Sequence, residues 1–161
     1  MKAAVYSQYG PPSVVTIAEI PQPIPKPNEL LVKVFSSTVT RTDSGFRSAE
    51  YFVSRFFSGL LRPKFPSLGC EFAGIVEETG SSVTLFKKGD RIFGFNDQKF
   101  GGHAEFLTIA ETDAIDIIPD ELSFDEAAAL TEGSHYALVD IRAAKTEPGQ
   151  NVLVYGATGA I

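Results

Sequence analysis

Residues 66–95, PSLGCEFAGIVEETGSSVTLFKKGDRIFGF, decide the fold class of this chain. Two apolar runs, 72–76 and 91–95, have the length of strands, and Gly80 and Lys88-Gly89-Asp90 between them are turn signals. Short strands punctuated in this way belong to an antiparallel, barrel-like β fold rather than to alternating βα units. Gly69 allows a positive φ or a close backbone approach. Glu71 sets a carboxylate beside an apolar strand, where it requires a partner.

Towards the N-terminus, residues 2–6 and 14–20 read as strands separated by the turn Gly10-Pro11-Pro12. The segment PQPIPKP, 21–27, is an extended surface connector, because alternating prolines withhold backbone donors. Residues 30–34, LLVKV, form a buried strand. The polar loop SSTVTRTDSGF, 36–46, follows, with Thr42 or Asp43 as the expected cap of a short helical turn. In 51–61, YFVSRFFSGLL, Phe52, Phe56 and Leu60 recur at helical spacing. That stripe predicts an amphipathic segment packed against a core, with a lid over a substrate pocket as the other reading.

Towards the C-terminus, Gly101-Gly102 marks a turn, and 104–109 and 114–118 read as strands. Ser123-Phe124-Asp125-Glu126 is a capping box, and the alanines after it favour a helix. The helical pattern extends to about Lys145, with a break expected at Gly133. After Pro148-Gly149 comes an apolar run of parallel-strand type, 151–155, NVLVY, and then Gly156-Ala157-Thr158-Gly159. A strand that feeds a glycine-rich turn is how a dinucleotide-binding unit begins.

The 161 residues suffice for one core, or for one domain and part of another. A single cysteine, Cys70, excludes an internal disulfide framework and every multi-cysteine zinc cage within the chain. The charge of −6, from 14 Lys+Arg against 20 Asp+Glu, disfavours nucleic acid and anionic membrane surfaces as partners. No apolar run approaches the ~20 residues of a membrane span, and the opening MKAAVYSQYG lacks a secretory pattern. A reducing, cytoplasmic setting is expected.

Taken in order, MKAAVYSQYG, Thr40-Arg41-Thr42-Asp43, GCEFAGIVEETG, KKGDRIFGF, GGHAEF, SFDEAAAL and PGQNVLVYGATGAI resemble the medium-chain dehydrogenase/reductase superfamily. Within it they are most similar to the zinc-independent branch of quinone oxidoreductases and enone reductases. The resemblance implies a mainly β fold with α: a GroES-like antiparallel β-barrel domain over 1–122, a linking helical segment over 123–148 and the start of a Rossmann domain over 149–161. It implies NADP or NAD as cofactor in a longer protein of which this chain is a fragment. Arg41 matches an arginine that contacts the cofactor pyrophosphate, and Gly156, Ala157, Thr158 and Gly159 match the phosphate-binding turn. The zinc-dependent members place ligands at positions matching Thr40 and Cys70, and a third within 130–133, where this chain offers Glu132 but no cysteine. Asp43 and Glu71 match acids that orient those ligands, and here are expected to hold backbone or Arg41.

Without zinc to polarise a carbonyl, conjugated acceptors are the easier substrates, since the negative charge spreads to an oxygen held by hydrogen-bond donors. By family position, Thr40 and Thr42 are the expected catalytic donors. Cys70 is expected as a small packed side chain, and His103 and His135 as structural or exposed. The implied reaction is hydride transfer from NAD(P)H to a quinone or an α,β-unsaturated carbonyl, a small-molecule substrate. A zinc-free reductase of other carbonyls is an alternative. So is a GroES-like interaction module without catalysis, self-associating as a homo-oligomer through strand edges.

Overall fold

The structure is a computed structural model, and it describes residues 1–155. Seven strands and four α-helices are defined among them. The expected antiparallel β architecture is present. Strands β3 (Glu29–Ser37), β4 (Glu71–Thr79), β5 (Arg91–Phe95), β6 (Phe106–Ala110) and β7 (Ile115–Ile117) form one sheet in the order β6-β3-β4-β5-β7. Every pairing in it is antiparallel. Strands β1 (Lys2–Val5) and β2 (Thr16–Glu19) pair separately, and bridges from Ala3 to Ala104 and from Val5 to Ser67 tie them to the body.

Alternation along β3 and β4 builds the main core, because successive side chains point to opposite faces. Leu30 and Val32 meet Phe72, Val76, Ile92, Leu107 and Ile109 in one buried cluster. At Gly74 the two central strands approach so closely that a Cβ would lie 2.3 Å from the Lys33 carbonyl oxygen. A second cluster joins Tyr6, Leu68, Cys70 and Phe100, with Phe46 and Phe65 packed against it. Helix α3 (Phe124–Ala128) closes a third by setting Ala127 and Ala128 against Ala73 and Ile118.

Several expectations need correction. The turn expected at Gly10-Pro11-Pro12 continues as a 3-10 turn over Pro12–Val14, so the strand read over 14–20 spans only Thr16–Glu19. Helix α1 (Arg41–Ser48) is capped by Thr40, not by Thr42 or Asp43, although Asp43 completes the box at the third position. The helical stripe of 51–61 is not a packed helix. Phe52–Ser54 is a 3-10 turn, α2 spans only Arg55–Ser58, and Phe52, Phe56 and Leu60 are 63%, 67% and 51% exposed. Tyr9 holds this strap instead, through hydrogen bonds to Ser58 Oγ and the Gly59 carbonyl.

The break in the linking helices falls at Ala129 and Leu130, between α3 and α4 (Thr131–Ala144), rather than at Gly133. Residues 151–155 form no strand, and Leu153 and Tyr155 are 91% and 99% exposed. A strand of parallel-sheet type needs neighbours for its backbone groups, and no described segment pairs with this one. The expected phosphate turn, Gly156 to Gly159, lies outside the described residues.

Candidate active site

Three segments distant in sequence converge at one end of the sheet: the start of α1, the Gly69-Cys70-Glu71 turn and the start of α4. Gly69 makes that turn. Its φ is +92°, and a Cβ there would lie 2.5 Å from the His103 nitrogen, so only glycine fits. Asp43 locks α1 to the turn, accepting from Gly69 N at 2.9 Å with one oxygen and from Thr40 N at 2.9 Å with the other. The acid therefore holds backbone, as expected, and the structure records no bond from it to Arg41.

Glu71 finds the partners its burial demands. Its Oε1 accepts from Thr131 Oγ1 at 2.6 Å and from Glu132 N at 2.7 Å, and its Oε2 accepts from Thr38 Oγ1 at 2.5 Å. Helix α4 has no side-chain cap of its own, so Glu71 serves its first turn from strand β4. A carboxylate at a helix N-terminus is favoured by the unpaired N–H groups there. The linking helix is thereby fastened to the sheet.

Thr40 and Cys70 do meet: Thr40 Oγ1 lies 3.5 Å from Cys70 Sγ. Burial pushes the Cys70 thiol up to about 12; the Thr40 hydrogen bond acts in the opposite direction, and the neighbouring acids Asp43, Glu132 and Glu71 raise it further. A fully buried thiol in that environment stays protonated and packs as a small apolar side chain. His103 is structural, with Nε2 2.7 Å from the Thr38 carbonyl oxygen. His135 is exposed on α4 and lines a cleft.

Thr42 lies beside this cluster and donates its hydroxyl proton to Glu132 Oε1 at 2.6 Å. Glu132 is 7% exposed. Sequence reasoning assigned no role to Thr38, Thr131 or Glu132. Only the Glu132 side chain carried a signal, as a lone acid in the linking segment. The two threonines act through contacts between β3, β4 and α4 that no local pattern encodes.

Two clefts flank the Thr42–Glu132 pair. One, of about 630 Å³, runs along α1 and is lined by Arg41, Thr42, Phe46 and Tyr51. The other, of about 790 Å³, lies between β5, β7 and α4 and is lined by Phe93, Phe95, Glu132, His135 and Tyr136. Arg41 is exposed at the first turn of α1, with no ion pair among the described residues. Its forked cation and the helix N-terminus suit an anionic group such as a pyrophosphate. Among the described residues, no group of three or more His, Cys, Asp and Glu is arranged to hold a metal ion.

The family model of the alcohol dehydrogenase GroES-like domain matches residues 26–120. The quinone oxidoreductase of Sus scrofa is 33% identical over 166 residues, covering 100% of this chain and 47% of that protein. A solved quinone oxidoreductase from Coxiella burnetii superposes with a TM-score of 0.83 at 30% identity, covering 92% of this chain and 46% of that one. The Escherichia coli quinone oxidoreductase, solved in complex with NADPH, gives 0.76 at 28% identity, covering 89% and 41%. The chain thus spans about half the length of the relatives it matches. With its sheet order, its Asp43- and Glu71-locked turn and these matches in agreement, the chain belongs to the alcohol dehydrogenase GroES-like family, in the quinone oxidoreductase-like branch of the medium-chain dehydrogenase/reductase superfamily.

Proposed function

We propose that this chain is the substrate-domain portion of an NAD(P)H-dependent, zinc-independent oxidoreductase that transfers hydride to a quinone or an α,β-unsaturated carbonyl. The observation that carries the reading is the donor set at the positions where zinc-dependent relatives bind metal. Thr40 is a neutral hydroxyl and Cys70 a buried thiol pushed up to about 12, and the two face each other at 3.5 Å. A catalytic zinc requires about three protein ligands from Cys, His and carboxylate side chains, and of this pair only Cys70 is such a residue. Both histidines stand elsewhere: His103 on the Thr38 carbonyl and His135 in the β5–α4 cleft.

Division into a GroES-like domain over 1–122, a linking segment over 123–148 and the first part of a Rossmann domain from 149 follows from the same reading. It is supported by the match over 26–120 and by the fastening of α4 to β4 through Glu71. NAD(P)H supplies the hydride when bound. Arg41 would meet its pyrophosphate from the start of α1, and Gly156, Ala157, Thr158 and Gly159 would form the phosphate turn. Thr40 and Thr42 are the hydroxyls assigned to the reacting end in this reading, Thr42 lining the α1 cleft, where a hydroxyl would donate to the substrate oxygen that gains charge.

The test is NAD(P)H oxidation by the full-length protein over a panel of quinones and enones after chelator treatment. Turnover that survives the chelator is expected. Activity lost with chelator and restored by zinc would overturn the zinc-free reading, and no turnover with any conjugated acceptor would overturn the substrate class.

A further inference from the structure

The strap that follows α1 turns large apolar side chains to solvent, among them Tyr51, Phe52, Val53, Phe56, Phe57 and Leu61, the last 89% exposed. A contiguous apolar patch of this kind marks a surface that meets something apolar. The strap is built rather than loose. Phe52 and Phe56 pack edge to face, and Ser58 is buried beneath them. Its polar groups are satisfied from within: Ser54 N donates to the Tyr51 carbonyl, Gly59 N to the Arg55 carbonyl and Lys64 N to the Ser58 carbonyl. The Ser54 and Ser58 hydroxyls donate likewise, to the Tyr51 and Ser54 carbonyls. An apolar medium strips water from such groups, so this inward pairing lets the segment enter one without leaving them orphaned.

Charge selects the medium. The chain carries −6 overall, which disfavours an anionic partner, but that charge is unevenly spread. No acid stands between Glu50 and Glu71, whereas Arg55, Arg62 and Lys64 all fall there. Arg55 is engaged inside the strap, its guanidinium 5.1 Å from the centre of the Tyr9 ring. Arg62 and Lys64 are exposed, with no ion pair among the described residues. Long cationic side chains beside apolar ones lay their stems along the apolar surface and hold their heads at phosphates. Protein interfaces, by contrast, are depleted in lysine.

We propose that the strap 51–64 is a peripheral membrane anchor. It seats Phe56, Phe57 and Leu61 in the headgroup region of an anionic bilayer and sets Arg62 and Lys64 on the lipid phosphates. The inference stands apart from the reductase reading. Tyr51 also lines the α1 cleft, so a seated strap sets one wall of that cleft at the lipid surface.

The full-length protein is expected to cosediment with vesicles of phosphatidylcholine and phosphatidylserine, and to be released as salt is raised. Phe56→Ser, a surface change of small effect on folding, is expected to lower the partition coefficient about 10-fold. Arg62→Ala combined with Lys64→Ala is expected to lower it about 30-fold. The 161-residue chain has no tryptophan, so Leu61→Trp supplies a single reporter, whose emission is expected to shift to the blue on the same vesicles. Equal binding to vesicles of phosphatidylcholine alone would overturn the charge assignment and the proposal with it. If the full-length protein fails to cosediment while the 161-residue chain binds, the rest of the protein covers the strap and the proposal falls; it falls equally if neither binds. A dimer abolished by Phe56→Ser, with no vesicle binding, would assign the strap to a second copy instead and would likewise overturn it.

Discussion

Two residues of the Gly69 turn carry separable predictions. Cys70 is fully buried, and burial first, with the nearby acids adding to it, pushes its thiol up to about 12. Alkylation of the native chain at pH 8 is therefore expected to be negligible, with one equivalent reacting once denaturant is added; rapid native labelling by mass spectrometry would contradict this. Glu71 fastens α4 to β4 with two hydrogen bonds, from Thr131 and Glu132, and accepts a third from Thr38 beyond β3. Glu71→Ala leaves the buried Glu132 N–H unpaired and is expected to cost about 3 kcal/mol in urea denaturation, whereas Glu71→Gln, which retains an acceptor, costs about 1 kcal/mol. That Glu71 needs a partner is legible in one dimension, because a carboxylate in an apolar run is costly alone. Which partner it takes is not: Thr131 and Glu132 lie 60 and 61 residues away along the chain.

Among the elements, the strap 51–61 shows how periodicity misleads. Phe52 and Phe56 do pack together, with ring centroids 5.6 Å apart, but on the surface rather than in a core. Helical spacing fixes which residues are neighbours, and says nothing of what lies beneath them. The segment is held by small polar contacts: Ser58 is 1% exposed and bonds to Tyr9, while Gly59 at φ +117° ends α2. Phe56→Ser is accordingly expected to change unfolding stability by no more than about 0.5 kcal/mol, as for surface sites. Phe72→Ala, in the main core, is expected to cost about 3–5 kcal/mol in the same assay. Similar losses for the two would mean that the strap is packed after all. By contrast, the Ser123–Glu126 capping box appears as read, since all its atoms lie within one turn of chain.

At the scale of the molecule, the described chain leaves a large apolar area uncovered. Leu138, Val139 and Ile141 on α4 are about half exposed, and 152–155 are more so. Relatives have roughly twice this length, and the expected phosphate turn opens only at Gly156. On the proposed reading, the 161-residue chain by itself is expected to bind NADPH weakly or not at all in a calorimetric titration, because no described segment pairs with 151–155, and tight binding would overturn that expectation. The strands β5 and β3, the turns at Gly69 and Gly101 and the antiparallel class were all readable in sequence order, because alternation, glycine and proline act over a few residues. The joining of Thr42 to Glu132, of Asp43 to Gly69 and of Glu71 to α4 was not, because each bond closes over 26 to 90 residues. Local chemistry settled where strands and turns form, and the meeting of α1, β4 and α4 settled which hydroxyl faces which carboxylate, since that direction exists only once the three elements are packed.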